Sequence, residues 1–192
     1  LGSDALAVAP FTNRVIYLEE GDWCLLSRKS WEVFDADGKK VSRPEAIVQG
    51  AGAAAEKGNY RHYMQKEIYE QPDFVGRTIS AYVNAFDLTV ALPARNMKKP
   101  LDFKKVDRIQ IVACGTAYYA GFVAKYWFEQ LAGISTDVDV ASEFRYRDPV
   151  LSPTTLAIMV TQSGETADTR AALEYCKAKG VTTAAVVNVP TS

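Results

Sequence analysis

The sequence has few of the side chains from which metal sites and disulfide frameworks are built. It contains three cysteines and one histidine in 192 residues. Cys24, Cys114 and Cys176 are far apart and odd in number, so we expect reduced thiols in a cytoplasmic protein rather than paired cystines. With His62 as the sole histidine and no paired cysteines, the sequence predicts no metal site and no cofactor.

The sequence also lacks an excess of charge of one sign and any long apolar run. Lysine and arginine number 22 against 23 acidic residues, so no basic surplus is available to neutralise the phosphates of a nucleic acid. No run of 18 apolar residues occurs, so we expect no transmembrane helix and no membrane partner. A hydrophobic fraction of 48% excludes a disordered tail.

Three common catalytic or nucleotide-binding motifs are missing. The sequence has no G-x-x-x-x-G-K-[ST], no G-x-G-x-x-G and no G-x-S-x-G. These absences argue against an ordinary P-loop, a dinucleotide fold and a serine-hydrolase elbow.

The pattern divides into a β region, a linker and two helices. Residues 15–18, 23–26 and 31–34 are short apolar runs separated by turn signals at 19–22 and 35–38, which predicts a small antiparallel set. Residues 48–59 are rich in Gly and Ala and suit a linker. Residues 60–71 predict a helix that stops at Pro72. A second helix is predicted from an apolar stripe formed by Val75, Ile79, Tyr82, Val83 and Phe86.

From Val106 onward, strands alternate with helices. Strands are predicted at 109–113, 138–141, 156–160 and 183–188, and helices at 117–131 (closed by Gly133) and 166–179 (ending at Gly180). We expect the first helix to pack through Ala120, Val123, Ala124, Trp127, Phe128 and Leu131. The second should pack through Thr169, Ala172, Leu173 and Cys176. Apolar strands between amphipathic helices predict a parallel sheet covered on both faces.

Two strand-to-helix loops are the strongest candidates for a binding site. Residues 114–117 and 161–166 each combine a glycine with hydroxyl side chains and each open a helix. Ligands of parallel sheets bind beyond the carboxyl ends of the strands, and free N–H groups at a helix N-terminus attract anions. Hydroxyl residues before a helix often serve only as N-caps, however, so the residues alone leave a phosphate site and plain capping both open.

Three other features admit a chemical or a structural interpretation. His62 could be a general base, but no partner is in view, so we expect an exposed helix residue that contacts another chain or domain. Cys114 could be a nucleophile, but no base is evident and packing is the better prediction. Residues 143–147 mix charges with aromatics and could form a solvated helix face or a subunit contact.

The same loops resemble a known family. Cys114-Gly115-Thr116, residues 142–147 and residues 162–169 resemble the sugar isomerase (SIS) domain of glutamine:fructose-6-phosphate aminotransferases. Residues 60–72 resemble the start of the isomerase domain of that family, and residues 18–22 the end of its glutaminase domain. The resemblance runs from about Ser3 to Pro190.

The resemblance implies a fold and a domain plan. The fold is α/β: a SIS-type parallel sheet flanked by helices, preceded by two helices and the short antiparallel tail of an α+β glutaminase domain. Residues 1–47 would end the glutaminase domain, 48–59 would link, and 60–192 would begin the isomerase domain, with the SIS core at about 101–192. Both ends look like cuts in a longer protein, and the family pattern implies a homodimer through the isomerase domains.

The resemblance also implies an activity and a set of binding residues. In this family, ammonia released from glutamine converts fructose 6-phosphate to glucosamine 6-phosphate. The positions matching the phosphate loops are Thr116, Thr161, Gln162, Ser163 and Thr166, while Cys114 and Gly115 would line the sugar through backbone groups. Ala117 and Thr161 stand where the family has Ser, and the missing hydroxyl at Ala117 should cost about 0.5–1.5 kcal/mol of binding.

No catalytic residue is expected within these 192 residues. The resemblance implies that the catalytic cysteine of the glutaminase precedes Leu1 and that the Schiff-base lysine and acid–base residues follow Ser192. We therefore expect the chain alone to be inactive and to carry half of a sugar-phosphate site. The alternatives are a SIS-type regulator that senses sugar phosphates and a purely structural α/β interaction domain.

Overall fold

The chain divides into two compact units, Leu1–Leu92 and Pro93–Ser192. The computed structural model describes residues 1–2, 5–48, 57–91 and 101–188, without the side chain of Leu6. Most of the predicted linker, at 49–56, lies outside the described residues. Among the described residues, no helix is long and apolar enough to cross a membrane.

The first unit begins with short antiparallel strands, as predicted. After a short helix that the sequence did not predict, α1 (Ala5–Val8), strand β1 (Arg14–Ile16) pairs with β5 (Glu45–Ile47). Strands β2 (Trp23–Leu26), β3 (Trp31–Phe34) and β4 (Lys40–Val41) form a separate antiparallel sheet in that order. The predicted turn at 35–38 is confirmed: Gly38 has a φ of +77°, which suits glycine, and Asp35 Oδ1 accepts hydrogen bonds from two N–H groups of the turn.

This β region has little apolar core. Val33 is its single buried apolar side chain among the described residues, and the rings of Trp23 and Phe34 stack with centroids 4.3 Å apart. Asp22 is held in place by polar contacts, since it accepts two hydrogen bonds from Arg43, at 2.8 and 2.9 Å, and one from the backbone N–H of Glu19. The Arg43 guanidinium, together with that N–H, lowers the pKa of Asp22 to about 2.

One helix replaces the two that were predicted before the parallel sheet. Helix α2 (Tyr63–Tyr82) continues through Pro72, so the predicted stop at that residue is wrong. Proline lacks the N–H that would bond the carbonyl four residues earlier, and its ring crowds that carbonyl, so Pro72 weakens α2 at this point without ending it. Val83 and Phe86 lie beyond the helix, where β6 (Val83–Asn84) pairs with β7 (Thr89–Val90).

The second unit is the predicted parallel α/β layer structure. After a 3₁₀ turn at Phe103–Lys105, the elements are β8 (Arg108–Ala113), α3 (Gly115–Trp127), β9 (Ser135–Val140), α4 (Ala141–Phe144), β10 (Thr155–Thr161), α5 (Ala167–Ala178) and β11 (Thr182–Val187). The strand order is β11-β10-β8-β9, and every neighbouring pair is parallel. A π-helical turn, Phe128–Ala132, extends α3 to Gly133, which has the left-handed φ of +65° expected of a C-cap.

The main core lies between the sheet and helices α4 and α5. Its buried members are Val112, Ala141, Phe144, Ala157, Met159, Ala172, Cys176 and Val181. The predicted face of α5 is confirmed, since Thr169, Ala172 and Cys176 are buried and Leu173 packs against the cluster. Burial raises the pKa of the Cys176 thiol to about 11, which keeps it protonated and unreactive.

The predicted packing face of α3 is wrong for four of its six residues, since only Ala124 and Phe128 are half-buried. Gly121 is the buried residue of this helix, whereas Trp127 and Leu131 are 61% and 84% exposed. A Cβ at Gly121 would lie 3.0 Å from Ile111 Cγ2, so the helix approaches the sheet where glycine leaves room. Because α3 is apolar around most of its circumference, periodicity alone could not identify the side that packs.

Residues 143–147 are not a uniformly solvated helix face. Helix α4 ends at Phe144, whose side chain is fully buried and meets the Tyr175 ring edge-on, with centroids 5.9 Å apart. Beyond it, Arg145, Tyr146 and Arg147 are exposed. Arg147 binds Asp139 through two hydrogen bonds, which ties the end of this segment to β9.

Candidate functional site

The two candidate loops follow neighbouring strands at the point where the sheet reverses its order. Strands β8 and β10 are adjacent, with Ala113 opposite Val160 at their carboxyl ends. The chain leaves β8 towards β9 on one side and leaves β10 towards β11 on the other. Ligands of open α/β sheets bind in the crevice at such a switch point.

The helices that follow these strands lie on opposite faces of the sheet. Gly121 of α3 lies against Ile111, while α5 packs on the core that contains Val112. Successive residues of a strand face opposite sides, so the two helices diverge from the crevice and their N-termini border it.

A single hollow of about 190 Å³ joins the two loops. Its lining residues are Cys114, Thr116, Ala117, Val160, Thr161, Gln162, Ser163, Thr166 and Thr169. Six of the seven residues singled out as substrate-binding from the sequence are in this set. Gly115, the seventh, lies between two lining residues but is not itself one of them.

The second loop presents hydroxyl groups whose protons remain free to be donated. Thr161 Oγ1 accepts from the Gly164 N–H at 3.3 Å, and Ser163 Oγ accepts from the Glu165 N–H at 3.1 Å. A hydroxyl that accepts one hydrogen bond still has a proton to donate. The Thr161 and Thr166 hydroxyl oxygens lie 3.3 Å apart, so one of these groups can donate to the other.

The first loop contributes Cys114, Thr116 and Ala117 to the lining of the hollow. Cys114 is the N-cap residue of α3 in an extended conformation, and Gly115 begins the helix with a φ of +59°, which favours glycine. Ala117 lines the hollow with a methyl group, at the position where the family resemblance implies a serine hydroxyl.

Neither helix N-terminus at the hollow is capped by a side chain. Cys114 makes no capping hydrogen bond, and Thr166, the N-cap residue of α5, makes none either. The N–H groups of a helical first turn have no acceptor within the helix, and they carry the positive end of its dipole. The sequence left open whether the hydroxyl residues of these loops are only N-caps. The structure argues against that alternative at Thr166, which does not serve as a side-chain cap.

The attraction that the hollow offers to an anion comes from neutral groups. Its lining contains no lysine, arginine, aspartate or glutamate. Hydroxyl protons and helical N–H groups therefore supply the donors, an arrangement that suits the oxygens of a phosphate monoester.

Three lining residues were not identified as site residues from the sequence. Ala117 belongs to the first loop, but it was noted only as the position that lacks the serine hydroxyl of the family. Val160 ends the apolar run of β10 and carries no polar signal. Thr169 was assigned to the core face of α5, and it is indeed buried, but it also lines the hollow. Its position three residues after Thr166 was the available signal, because residues three apart share one helix face.

The other candidates from the sequence do not join this hollow. His62 is an exposed N-cap residue of α2. A larger groove of about 650 Å³ runs along the same helix and is lined by Pro72, Asp73, Gly76, Arg77, Ser80 and Ala81. All of these residues come from one helix, so the groove lacks the convergent walls of a ligand site.

Comparison with known proteins agrees with the resemblance seen in the loops. Residues 102–192 match the SIS domain family. Over all 192 residues the chain is 56% identical to the glutamine–fructose-6-phosphate aminotransferases (isomerizing) of Caulobacter vibrioides and Bradyrhizobium diazoefficiens, and it spans 31% of the length of each.

A solved structure supports the same relationship. The C-terminal domain of glucosamine-fructose-6-phosphate aminotransferase from Francisella tularensis has a TM-score of 0.63 and 44% identity, covering 71% of this chain and 38% of that one. Residues 102–192 of the chain thus match the SIS domain family, and its whole length is similar to part of the glutamine–fructose-6-phosphate aminotransferases.

Proposed function

We propose that this chain is part of a glutamine–fructose-6-phosphate aminotransferase and that its hollow binds the phosphoryl group of fructose 6-phosphate or glucosamine 6-phosphate. The observation that carries the proposal is the meeting of two uncapped helix N-termini with free hydroxyl groups in one hollow. The names of relatives that are 56% identical over the whole chain support the choice of sugar phosphate.

Each loop has a distinct role in this proposal. Thr116, Thr161, Gln162, Ser163 and Thr166 bind the phosphoryl oxygens, through hydroxyl groups and the first-turn N–H groups of α5. Cys114 and Gly115 contact the sugar through backbone groups. The carbonyl of Gln162 accepts a hydrogen bond from the Asn188 N–H at 3.2 Å, which anchors the second loop to the end of β11.

The size of the hollow suits the phosphoryl end of the ligand better than the whole molecule. Its volume of about 190 Å³ lies below the roughly 300–1,000 Å³ typical of small-molecule sites. We infer that the hollow holds half of the sugar-phosphate site and that these 192 residues contain no catalytic centre. The purified chain should therefore form no glucosamine 6-phosphate from fructose 6-phosphate and glutamine.

The proposal extends to the domain plan implied by the family. Residues 1–47 end a glutaminase domain, 48–59 link it to the isomerase domain, and 60–192 begin that domain. The parent enzyme uses ammonia from glutamine and dimerises through its isomerase domains. Glutamine-dependent turnover by a protein that contains this chain would separate the enzyme from a SIS-type regulator, which binds the sugar phosphate without turnover.

Calorimetric titration of the chain tests the binding site directly. Fructose 6-phosphate and inorganic phosphate should both bind, whereas fructose should not, because the donors of the hollow are placed for phosphoryl oxygens. Equal binding of fructose and fructose 6-phosphate would contradict the assignment. If neither fructose 6-phosphate nor inorganic phosphate gave a heat of binding, the loops would be structural turns only.

A further inference from the structure

Thr169 differs from the other buried threonines of the described residues. The Thr136 hydroxyl donates to the carbonyl of Ile134 at 3.1 Å, and the Thr155 hydroxyl lies 2.9 Å from the hydroxyl of Ser152. Thr169 is 3% exposed, yet its Oγ1 has no hydrogen-bond partner. The large majority of buried side-chain polar atoms have a partner, so this orphaned hydroxyl needs an explanation.

The location of Thr169 supplies that explanation. It belongs to the first turn of α5, three residues after Thr166, and both residues line the hollow. A hydroxyl buried without a partner is costly in the empty protein, and an acceptor oxygen that enters the hollow would remove this cost. The N-terminus of α5, which no side chain caps, borders the same hollow, so its N–H groups and the Thr169 hydroxyl both lack an acceptor in this part of the unit.

We propose that Thr169 is a further ligand-binding residue, whose hydroxyl donates a hydrogen bond to a phosphoryl oxygen in the hollow. The inference rests on the proposed function of the hollow as a phosphoryl site. It adds a donor from inside α5 to those of the preceding loop. The bound phosphoryl group then contacts two residues on the same side of the helix, Thr166 and Thr169, as well as the loop.

The test compares variants that remove or keep the hydroxyl. Thr169→Val replaces the hydroxyl with a methyl of similar size, while Thr169→Ser keeps it. Fructose 6-phosphate and inorganic phosphate are titrated into each variant, and urea unfolding is measured without ligand. The matched control is Thr155→Val, because Thr155 is equally buried but has partners for its hydroxyl and does not line the hollow.

The expected results separate binding from folding. Thr169→Val should weaken binding of both phosphate compounds about two- to twelvefold, as the loss of one hydrogen bond predicts, while the urea midpoint stays equal or rises. Thr169→Ser should bind within about twofold of the wild-type chain. Thr155→Val should show the reverse pattern, with a lower urea midpoint and unchanged affinity.

Two results would overturn the inference about Thr169, and both can be distinguished from a result that overturns the proposed function. Unchanged affinity in Thr169→Val, with normal binding by the wild-type chain, would remove Thr169 from the site but leave the phosphoryl site itself. Equal loss of affinity in Thr169→Ser and Thr169→Val would show that packing rather than the hydroxyl matters. If the wild-type chain binds neither phosphate compound, both the inference and the proposed function fail.

Discussion

The β region of the first unit and the parallel sheet of the second are stabilised by different means. Among its described residues, the β region has one buried apolar side chain, Val33, and it relies on turn hydrogen bonds, an aromatic stack and ion pairs such as Asp22–Arg43. The parallel sheet has a continuous core beneath α4 and α5. Burial therefore dominates stability in the second unit, whereas polar and local contacts carry more of it in the first.

The second unit also separates its core from its candidate site. The core side chains lie under the helices, and the polar residues of the hollow lie at the carboxyl ends of β8 and β10. Substitutions of these polar residues, which form the rim of the sheet, should thus alter ligand binding with little effect on folding. Changes in the core should do the opposite.

The largest expected effect is a core substitution. Phe144→Ala should lower the free energy of unfolding by about 3–5 kcal/mol, because it leaves a cavity beside Tyr175. Trp23→Ala in the β region should cost less, since Trp23 is 49% exposed; the lost stack on Phe34 accounts for about 0.5–1.5 kcal/mol of that cost. Urea denaturation measures both.

The control for Phe144 is another phenylalanine of the same unit. Phe103 is 54% exposed, so Phe103→Ala should change stability by no more than about 0.5 kcal/mol. If Trp23→Ala proved as damaging as Phe144→Ala, the contrast between the two units would be wrong.

The next effect is on binding. Ser163→Ala combined with Thr166→Ala should weaken fructose 6-phosphate binding by about 1–3 kcal/mol, roughly 5- to 150-fold, through two lost hydrogen bonds. The urea midpoint should fall only slightly, because the Thr166 side chain caps no N–H of α5 and Ser163→Ala removes one exposed hydrogen bond, from the Glu165 N–H. Calorimetry and denaturation measure the two quantities separately. A large loss of stability with intact affinity would reverse the roles assigned to core and rim.

The sequence predicted most of the second unit because its signals are local. Apolar runs predicted all four strands, and Gly133 predicted the end of the helical segment that begins with α3. The loops were found because their glycine and hydroxyl residues follow strands. The packing face of α3 escaped prediction, since it depends on the absent side chain of Gly121 rather than on an apolar stripe.

A smaller effect, in the opposite direction, is expected at Ala117. Ala117→Ser adds a hydroxyl to the lining of the hollow and should tighten fructose 6-phosphate binding by about 0.5–1.5 kcal/mol. Ala120→Ser on the exposed side of α3 serves as the control and should leave the affinity unchanged. Calorimetry that shows equal affinities for Ala117→Ser and the wild-type chain would place the phosphoryl group away from α3.

The smallest expected effect is a loss of stability of the first unit in acid, which has no counterpart at neutral pH. Asp22 has a pKa lowered from 3.8 to about 2, so its ionised form favours the folded state. That contribution is complete above about pH 4 and is lost as the pH falls through about 2. The exchange of the β2 and β3 amides, measured relative to the rate of an unfolded peptide at the same pH, should thus accelerate over this range, and Asp22→Asn should flatten the change.

A neighbouring aspartate provides the control for this pH dependence. The Asp37 side chain is 79% exposed, so Asp37→Asn should keep the acid-induced acceleration of exchange. Loss of the acceleration in Asp37→Asn but not in Asp22→Asn would contradict the role given to the Asp22–Arg43 pair.

Other features of the structure ran against the local preferences of the sequence. Pro72 favoured a helix end, yet α2 continues through it. The sequence left open whether Thr166 caps α5, and the structure instead places its hydroxyl near that of Thr161. Thr169 fitted an apolar helix face, and the lack of a partner for its hydroxyl became visible only in three dimensions.

The most direct test of the account is to observe both loops while the ligand binds. Backbone amide chemical shifts of the chain should be recorded by NMR during titration with fructose 6-phosphate and, separately, with fructose. The account predicts that amides of residues 115–117 and of residues 163–169 shift together, with one dissociation constant, and only with the phosphorylated sugar. Shifts confined to one loop, or equal shifts with fructose, would contradict a phosphoryl site shared by the two loops.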